Sequence, residues 1–185
     1  MSQTDLREHV VKTADRLYYA RGIQSVGMDD LRAEAGVPLK RLYSMFPSKN
    51  AIVLEVLQRR HRIWTDGVSA RVATVTSPRD KLLAVYDYLA DWFADDSFRG
   101  CGFINAFAEM GAVTPEVAQL AREHKESFQR FVSDLVAQAG APADLAPQLA
   151  ILAEGAQTTA AISGTTEAAG QARRAAEVLI DAAAR

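Results

Sequence analysis

Cysteine occurs once in the 185 residues, at Cys101, so no internal disulfide can form, and a reducing, cytoplasmic setting fits. Histidine is almost as scarce. His9, His61 and His124 lie far apart, no Cys/His spacing suits zinc, and no Glu-x-x-His pair suits a di-iron bundle. No Gly-rich phosphate loop or nucleophile elbow appears, so the usual enzyme signatures are missing and no cofactor or metal is expected. Long apolar runs are missing too. The longest charge-free run, residues 155–166, has 12 residues, half of them polar, whereas a membrane span needs about 20 apolar ones. The first residues break their apolar positions with charges every few places, unlike a signal peptide. Hydrophobic residues at 49% and charged residues at 24% describe an ordinary soluble globular chain.

Net charge is also scarce, at -2, which read globally gives no hint of a nucleic-acid partner. The distribution reverses that impression. Residues 1–62 hold 11 Lys/Arg against 7 Asp/Glu, a net of +4, and residues 63–185 hold 10 against 16, a net of -6. Such asymmetry points to an anionic partner for the N-terminal third, although a solvated basic face has the same composition.

What is abundant is helical periodicity, interrupted by Pro and Gly at helix-length intervals, with no alternating strand pattern. The spacing predicts an all-α chain of nine helices, over residues 5–20, 29–35, 39–45, 49–73, 79–94, 103–110, 115–139, 146–163 and 167–184. Gly22 and Gly36 stop the first and second, and Asp29 and Asp30 suit the positive end of the second. Ser48 is the expected N-cap of the fourth.

The informative stretch is MDDLRAEAGVPLKRLYSMF, residues 28–46. Two short helices flank Gly36-Val37, with Leu31, Ala35, Val37 and Leu42 at buried spacing. Ala35 lets the helices approach, and Gly36 supplies the left-handed backbone of a tight turn. That is the layout of a helix-turn-helix, whose second helix enters the major groove. Leu39, Lys40, Arg41 and Ser44 occupy its outward positions. Lys40 and Arg41 can reach base edges or phosphates, and the Tyr43 hydroxyl suits a phosphate oxygen. Lys49, in the first turn of the next helix, would join exposed N–H groups on a phosphate. An ordinary helical hairpin would leave the preceding helix, the regional charge and the FPSK sequel without a common reason.

Residues 7–55 resemble the DNA-binding domain of the tetracycline-repressor (TetR) family of bacterial transcriptional regulators. The resemblance rests on Ala14, Leu17, Gly22, Met28, Asp30, Leu31, Ala35-Gly36-Val37, Leu42-Tyr43, Phe46 and Ser48-Lys49. It implies a homodimer on a palindromic double-stranded DNA operator, usually a repressor released by a small ligand. It also implies a helix-turn-helix domain over 1–48 and a ligand-binding and dimerisation bundle over 49–185. Carried over, Tyr43 and Lys49 become phosphate contacts, with Gly27, Met28, Pro38, Leu39, Lys40, Arg41 and Ser44 completing the DNA-facing set. Two departures stand out. Gly27 replaces a Ser or Thr that often contacts phosphate, leaving only its backbone N–H for that purpose. Pro38-Leu39-Lys40-Arg41 replaces the commoner Ser-x-Gly-Thr, so the operator sequence of better-known relatives does not transfer.

Narrow, small-sided stripes mark the last two helices: Leu145, Leu149, Leu152, Ala156 and Ala160, then Ala172, Ala176 and Leu179. Their spacing suits a four-helix interface between two copies, or burial against their own chain. Aromatic residues concentrate in the middle of the chain, suiting a core that includes an apolar cavity for a small apolar or aromatic effector. Its candidate lining is Trp64, Tyr86, Phe93, Phe107 and Phe128, with Asn105, Glu109, His124 and Gln157 as polar contacts. Cys101 reads as an inert buried thiol and the run Arg59-Arg60-His61-Arg62 as a solvated face. The competing classes are a helical adaptor that binds only protein and a helical-bundle enzyme. The first leaves the basic second helix without a purpose, and the second lacks every motif sought above.

Overall fold

The computed structural model describes residues 2–183, and among them every regular element is a helix. In chain order these are α1 (Gln3–Arg21), α2 (Met28–Ala35), α3 (Leu39–Met45), α4 (Lys49–Val72), α5 (Pro78–Phe93), α6 (Gly102–Met110), α7 (Pro115–Gln138), α8 (Leu145–Ser163) and α9 (Glu167–Ala183). Existence and order match expectation. The expected end of the last helix at Ala184 lies outside the described residues. No helix among them is long and apolar enough to cross a membrane.

The helix starts differ from expectation for local reasons. α1 opens at Gln3 because Ser2 and Asp5 form a reciprocal cap. Asp5 N–H donates to the Ser2 hydroxyl at 3.1 Å and Ser2 N–H to the Asp5 carboxylate at 2.9 Å. α5 begins on Pro78 rather than after it, since a first-turn proline sacrifices no helical hydrogen bond, and the Ser77 hydroxyl caps Asp80 N–H at 3.2 Å.

The chain forms two compact units. One comprises the stretch up to Arg62 with Gly102–Arg122, the other Ile63–Cys101 with the stretch from Glu123 onward. This division differs from the expected one at residue 48, for the start of α4 and all of α6 belong with the helix-turn-helix. Side chains explain why. Arg7 of α1 donates to Glu55 of α4 through two nitrogens, and Asp15 of α1 takes both Arg59 and Arg60 of α4. The Arg59-Arg60 pair is therefore a structural tie and not the solvated face the sequence suggested. With Glu109, Glu116 and Arg122 added to residues 1–62, this first unit still carries a formal net of +3.

The second unit is organised around Tyr86, Leu82, Leu89, Leu149 and Ala153, all essentially inaccessible to solvent. The Tyr86 hydroxyl donates to Leu149 O at 2.8 Å, satisfying the polar end of a buried ring, and burial raises its pKa well above the ordinary phenol value. Arg79 of α5 reaches Glu177 and Asp181 of α9 at 2.9 and 2.7 Å.

Candidate nucleic-acid interface and effector site

The helix-turn-helix is built from the inside outward. Leu31 and Leu42 are fully buried, with Ala35 and Val37 nearly so, fixing α2 against α3. Between them Gly36 takes φ +63°, the left-handed turn expected of it, while Val37 N–H closes onto Arg32 O at 3.0 Å. His9 of α1 lies 3.0 Å from Ala35 O, at the end of α2. On α3, Leu42 and Met45 face inward, so Lys40, Arg41, Tyr43 and Ser44 face outward. Tyr43 is 49% exposed, large for an aromatic ring without a partner surface. Neither Lys40 nor Arg41 is paired with a carboxylate among the described residues, leaving two free cations side by side. Pro38 caps the helix through its carbonyl, which accepts from Arg41 and Leu42 N–H at 2.8 and 3.1 Å. Leu39 is half-buried beside it, and Ser44 donates to Arg41 O at 2.7 Å.

Two expected phosphate contacts are engaged inside the protein. Lys49 Nζ donates to Ile23 O at 2.5 Å and sits 5.8 Å from the Tyr18 ring centroid; partial burial lowers its pKa, countered by Glu109 and Asp30. Gly27 N–H, the substitute donor for a missing Ser or Thr, donates to Asp30 at 2.9 Å, just before Met28 opens α2. That N–H holds the Asp30 carboxyl below its ordinary value of 3.8, with Arg21 reinforcing it. A depressed folded pKa stabilises above the unfolded value and is lost as pH falls through the folded one. Asp30→Asn is therefore expected to flatten the acid limb of stability below pH 3.8, measured as urea midpoints across a pH series.

The effector candidates separate. Asn105, Phe107 and Glu109 lie on α6 in the first unit. Phe107 is 54% exposed, which removes it from any buried lining, because α6 turns Phe103, Ala106 and Met110 inward instead. Glu109 accepts from Ile23 and Gln24 N–H at 3.1 and 2.8 Å, holding the α1–α2 connection and leaving it a bracing group more than an effector contact. The second unit gathers the rest. Trp64 meets His124 and Phe128 edge-on, with centroids 5.3 and 5.0 Å apart, while Tyr86, Phe93 and Gln157 are buried in the same unit.

Sequence reasoning missed Glu154 and Lys125. Glu154 Oε1 is buried without a hydrogen-bond partner, while its other oxygen lies 3.4 Å from Lys125 Nζ. Lys125 also approaches the buried Cys101 thiol at 3.9 Å. The signal was present: Glu154 is the sole charge in α8.

Most of the expected dimer stripe packs inside the protomer. Leu145, Leu149, Ala156, Ala160, Ala172 and Ala176 are buried in the protomer's own core, so only half-buried Leu152 and Leu179 retain area to offer a partner. The large apolar side chains that α8 and α9 leave in solvent are Ile151, Ile162 and Val178, at 69, 83 and 68% exposure.

Known proteins share this arrangement. The profile described as Bacterial regulatory proteins, tetR family, matches residues 10–56, and Tetracyclin repressor-like, C-terminal domain, matches 78–176. The chain is 28% identical over 138 residues to the HTH-type transcriptional activator FasR of Mycolicibacterium smegmatis, a match spanning 75% of this chain and 62% of that protein. It is 26% identical to the HTH-type transcriptional repressor NemR of Escherichia coli K12, over 75% of this chain and 68% of NemR. A crystal structure of a TetR-family transcriptional regulator from Streptomyces coelicolor superposes with a TM-score of 0.90 at 28% identity, covering 99% of this chain and 98% of that one. With the second profile covering more than half of its length, the chain belongs to the TetR family of helix-turn-helix transcriptional regulators, whose role is ligand-responsive binding to DNA and not catalysis.

Proposed function

We propose that this chain is a cytoplasmic, homodimeric repressor that binds a palindromic operator through α3 and is released by a small apolar or aromatic effector. The observation that carries the reading is the outer face of α3, where Lys40 and Arg41 stand unpaired beside exposed Tyr43 and Ser44 on a helix whose other face is buried. Two cations next to aromatic and hydroxyl donors suit phosphates and base edges of a major groove. Lys49 joins them once its ammonium exchanges Ile23 O for a phosphate oxygen.

The effector site belongs to the second unit, around Trp64, Tyr86, Phe93, His124, Phe128 and Gln157. Aromatic walls with a few buried polar atoms suit a flat apolar ligand bearing a polar substituent. Release follows when that ligand prefers a conformation whose two recognition helices no longer match successive major grooves. The dimer forms through α8 and α9 by the exposed face containing Ile151, Gly155, Ile162 and Val178, with Leu152 and Leu179 at its margin.

The test is selection of bound duplexes from a random pool with the purified protein. A palindrome with half-sites about one or two helical turns apart is expected. Its affinity should fall steeply with salt through counterion release. Arg41→Ala should change the preferred sequence, whereas Tyr43→Phe should weaken all sequences alike. An unenriched pool, or affinity flat across the salt series, would sink the reading.

A further inference from the structure

The first unit contains a cavity of about 110 Å³ walled by the last turns of α1 with Ile23, the early turns of α4 and the inner face of α6. Its floor is apolar, from Ile23, Val53 and Leu57, and Ala106 keeps it open because a larger side chain there would fill it. Two polar groups at its wall keep hydrogen-bonding capacity to spare. Tyr18 is only 5% exposed, yet its hydroxyl makes no hydrogen bond among the described residues. Arg60 uses only Nε on Asp15, stacks its guanidinium 3.7 Å from the Tyr19 ring centroid, and leaves both terminal nitrogens without a protein acceptor among those residues. Gly102 makes this pose possible, since a Cβ there would come within 2.9 Å of Arg60 Cδ.

We propose that this cavity is a second small-ligand site, specific for a short-chain monocarboxylate and distinct from the effector site of the other unit. A carboxylate matches the fork of a planar guanidinium and accepts from a phenol, while three or four methylene or methyl carbons meet the apolar floor. A cavity of about 150 Å³ holds benzene, so about 110 Å³ takes the three-carbon chain of butyrate with its carboxylate at the polar wall. Glu109, the remaining charge at the wall, directs its oxygens to Ile23 and Gln24 N–H and does not compete for Arg60. Because burial holds the Tyr18 phenol protonated, with its pKa pushed up to about 12, it remains a donor throughout the neutral range.

The site is tested with sodium butyrate as the probe, titrated into the full chain at constant ionic strength and followed by methyl NMR. Saturable shifts of Ile23, Val53, Val56 and Leu57 methyls are expected, with Kd about 1–10 mM for a ligand this small. Butylamine and butyramide should bind about tenfold more weakly or not at all. Tyr18→Phe should weaken butyrate about fivefold through loss of one hydrogen bond, and Ala106→Leu should abolish binding by occupying the space. If Ala106→Leu proves poorly folded, Tyr18→Phe and the two uncharged or cationic probes carry the test. Shifts that do not saturate by about 100 mM, equal binding of butylamine, or full binding by folded Ala106→Leu would overturn the proposal. The readout involves no DNA, so its failure leaves the operator reading untouched.

Discussion

Asp15→Ala is expected to destabilise the protein by about 3–5 kcal/mol, the cost of removing one partner from a buried charge cluster. Asp15 is almost wholly buried and lies between Arg59, at 2.6 Å from one oxygen, and Arg60 on the other. Both arginines are themselves mostly buried, so removing the carboxylate leaves two neighbouring cations facing each other with little water to screen them. The melting temperature should fall by about 10 °C or more in circular dichroism, given a chain of this length. Arg59→Met in the Asp15→Ala background should recover part of the loss, because it removes the repulsion the first change created. Asp15→Asn should be milder, since an amide keeps the shape and one acceptor. If Asp15→Ala melts within about 2 °C of the parent, the cluster is a solvated contact and contributes little.

That cluster shows where sequence reading succeeds and stops. Helical spacing places Leu31, Ala35, Val37 and Leu42 around the turn in the interior, and there they lie. Periodicity reports which face is apolar, and burial follows from that. Gly36 was legible because few residues tolerate positive φ. Partners were not legible. Nothing in Arg59-Arg60-His61-Arg62 reveals that a carboxylate more than forty positions earlier will hold two of its arginines. The same holds for Lys49, whose position suits a phosphate while its ammonium turns to Ile23 O. Glu109 looked like a polar contact in an apolar segment because the two N–H donors it meets lie more than eighty residues away.

The stripes on α8 and α9 were legible as apolar, but not which surface they meet. α8, with Glu154 as its sole charge, is apolar on nearly every side, so hydrophobic spacing there cannot distinguish the side that meets its own core from the side that meets a partner. Burial decides it. Leu145, Leu149 and Ile180 went inward with the small residues, and Ile151, Ile162 and Val178 stayed outside. Gly155 lies between the two isoleucines with open space where a Cβ would be, so a partner backbone can approach closely there.

The buried and exposed faces of α8 and α9 are separable by experiment. The paired substitutions Ile151→Asp and Val178→Asp are expected to convert the protein to a monomer, with the mass from light scattering falling to 20.1 kDa from twice that value. Each change appears twice across a two-fold interface, so four carboxylates would gather in a patch that must otherwise exclude water. Monomer stability should change by no more than about 0.5 kcal/mol per site, because both side chains are exposed in the protomer. Affinity for the selected palindrome should fall about 100-fold or more, since each half-site then binds without the effective concentration its twin supplies. Leu149→Asp provides the contrast. Its side chain lies in the protomer core beside the Tyr86 hydrogen bond, so it should unfold the chain instead of dissociating a folded dimer. A doubly substituted protein that remains a dimer would place the interface elsewhere than α8 and α9. A folded, monomeric Leu149→Asp protein would return it to the stripe that the core now occupies.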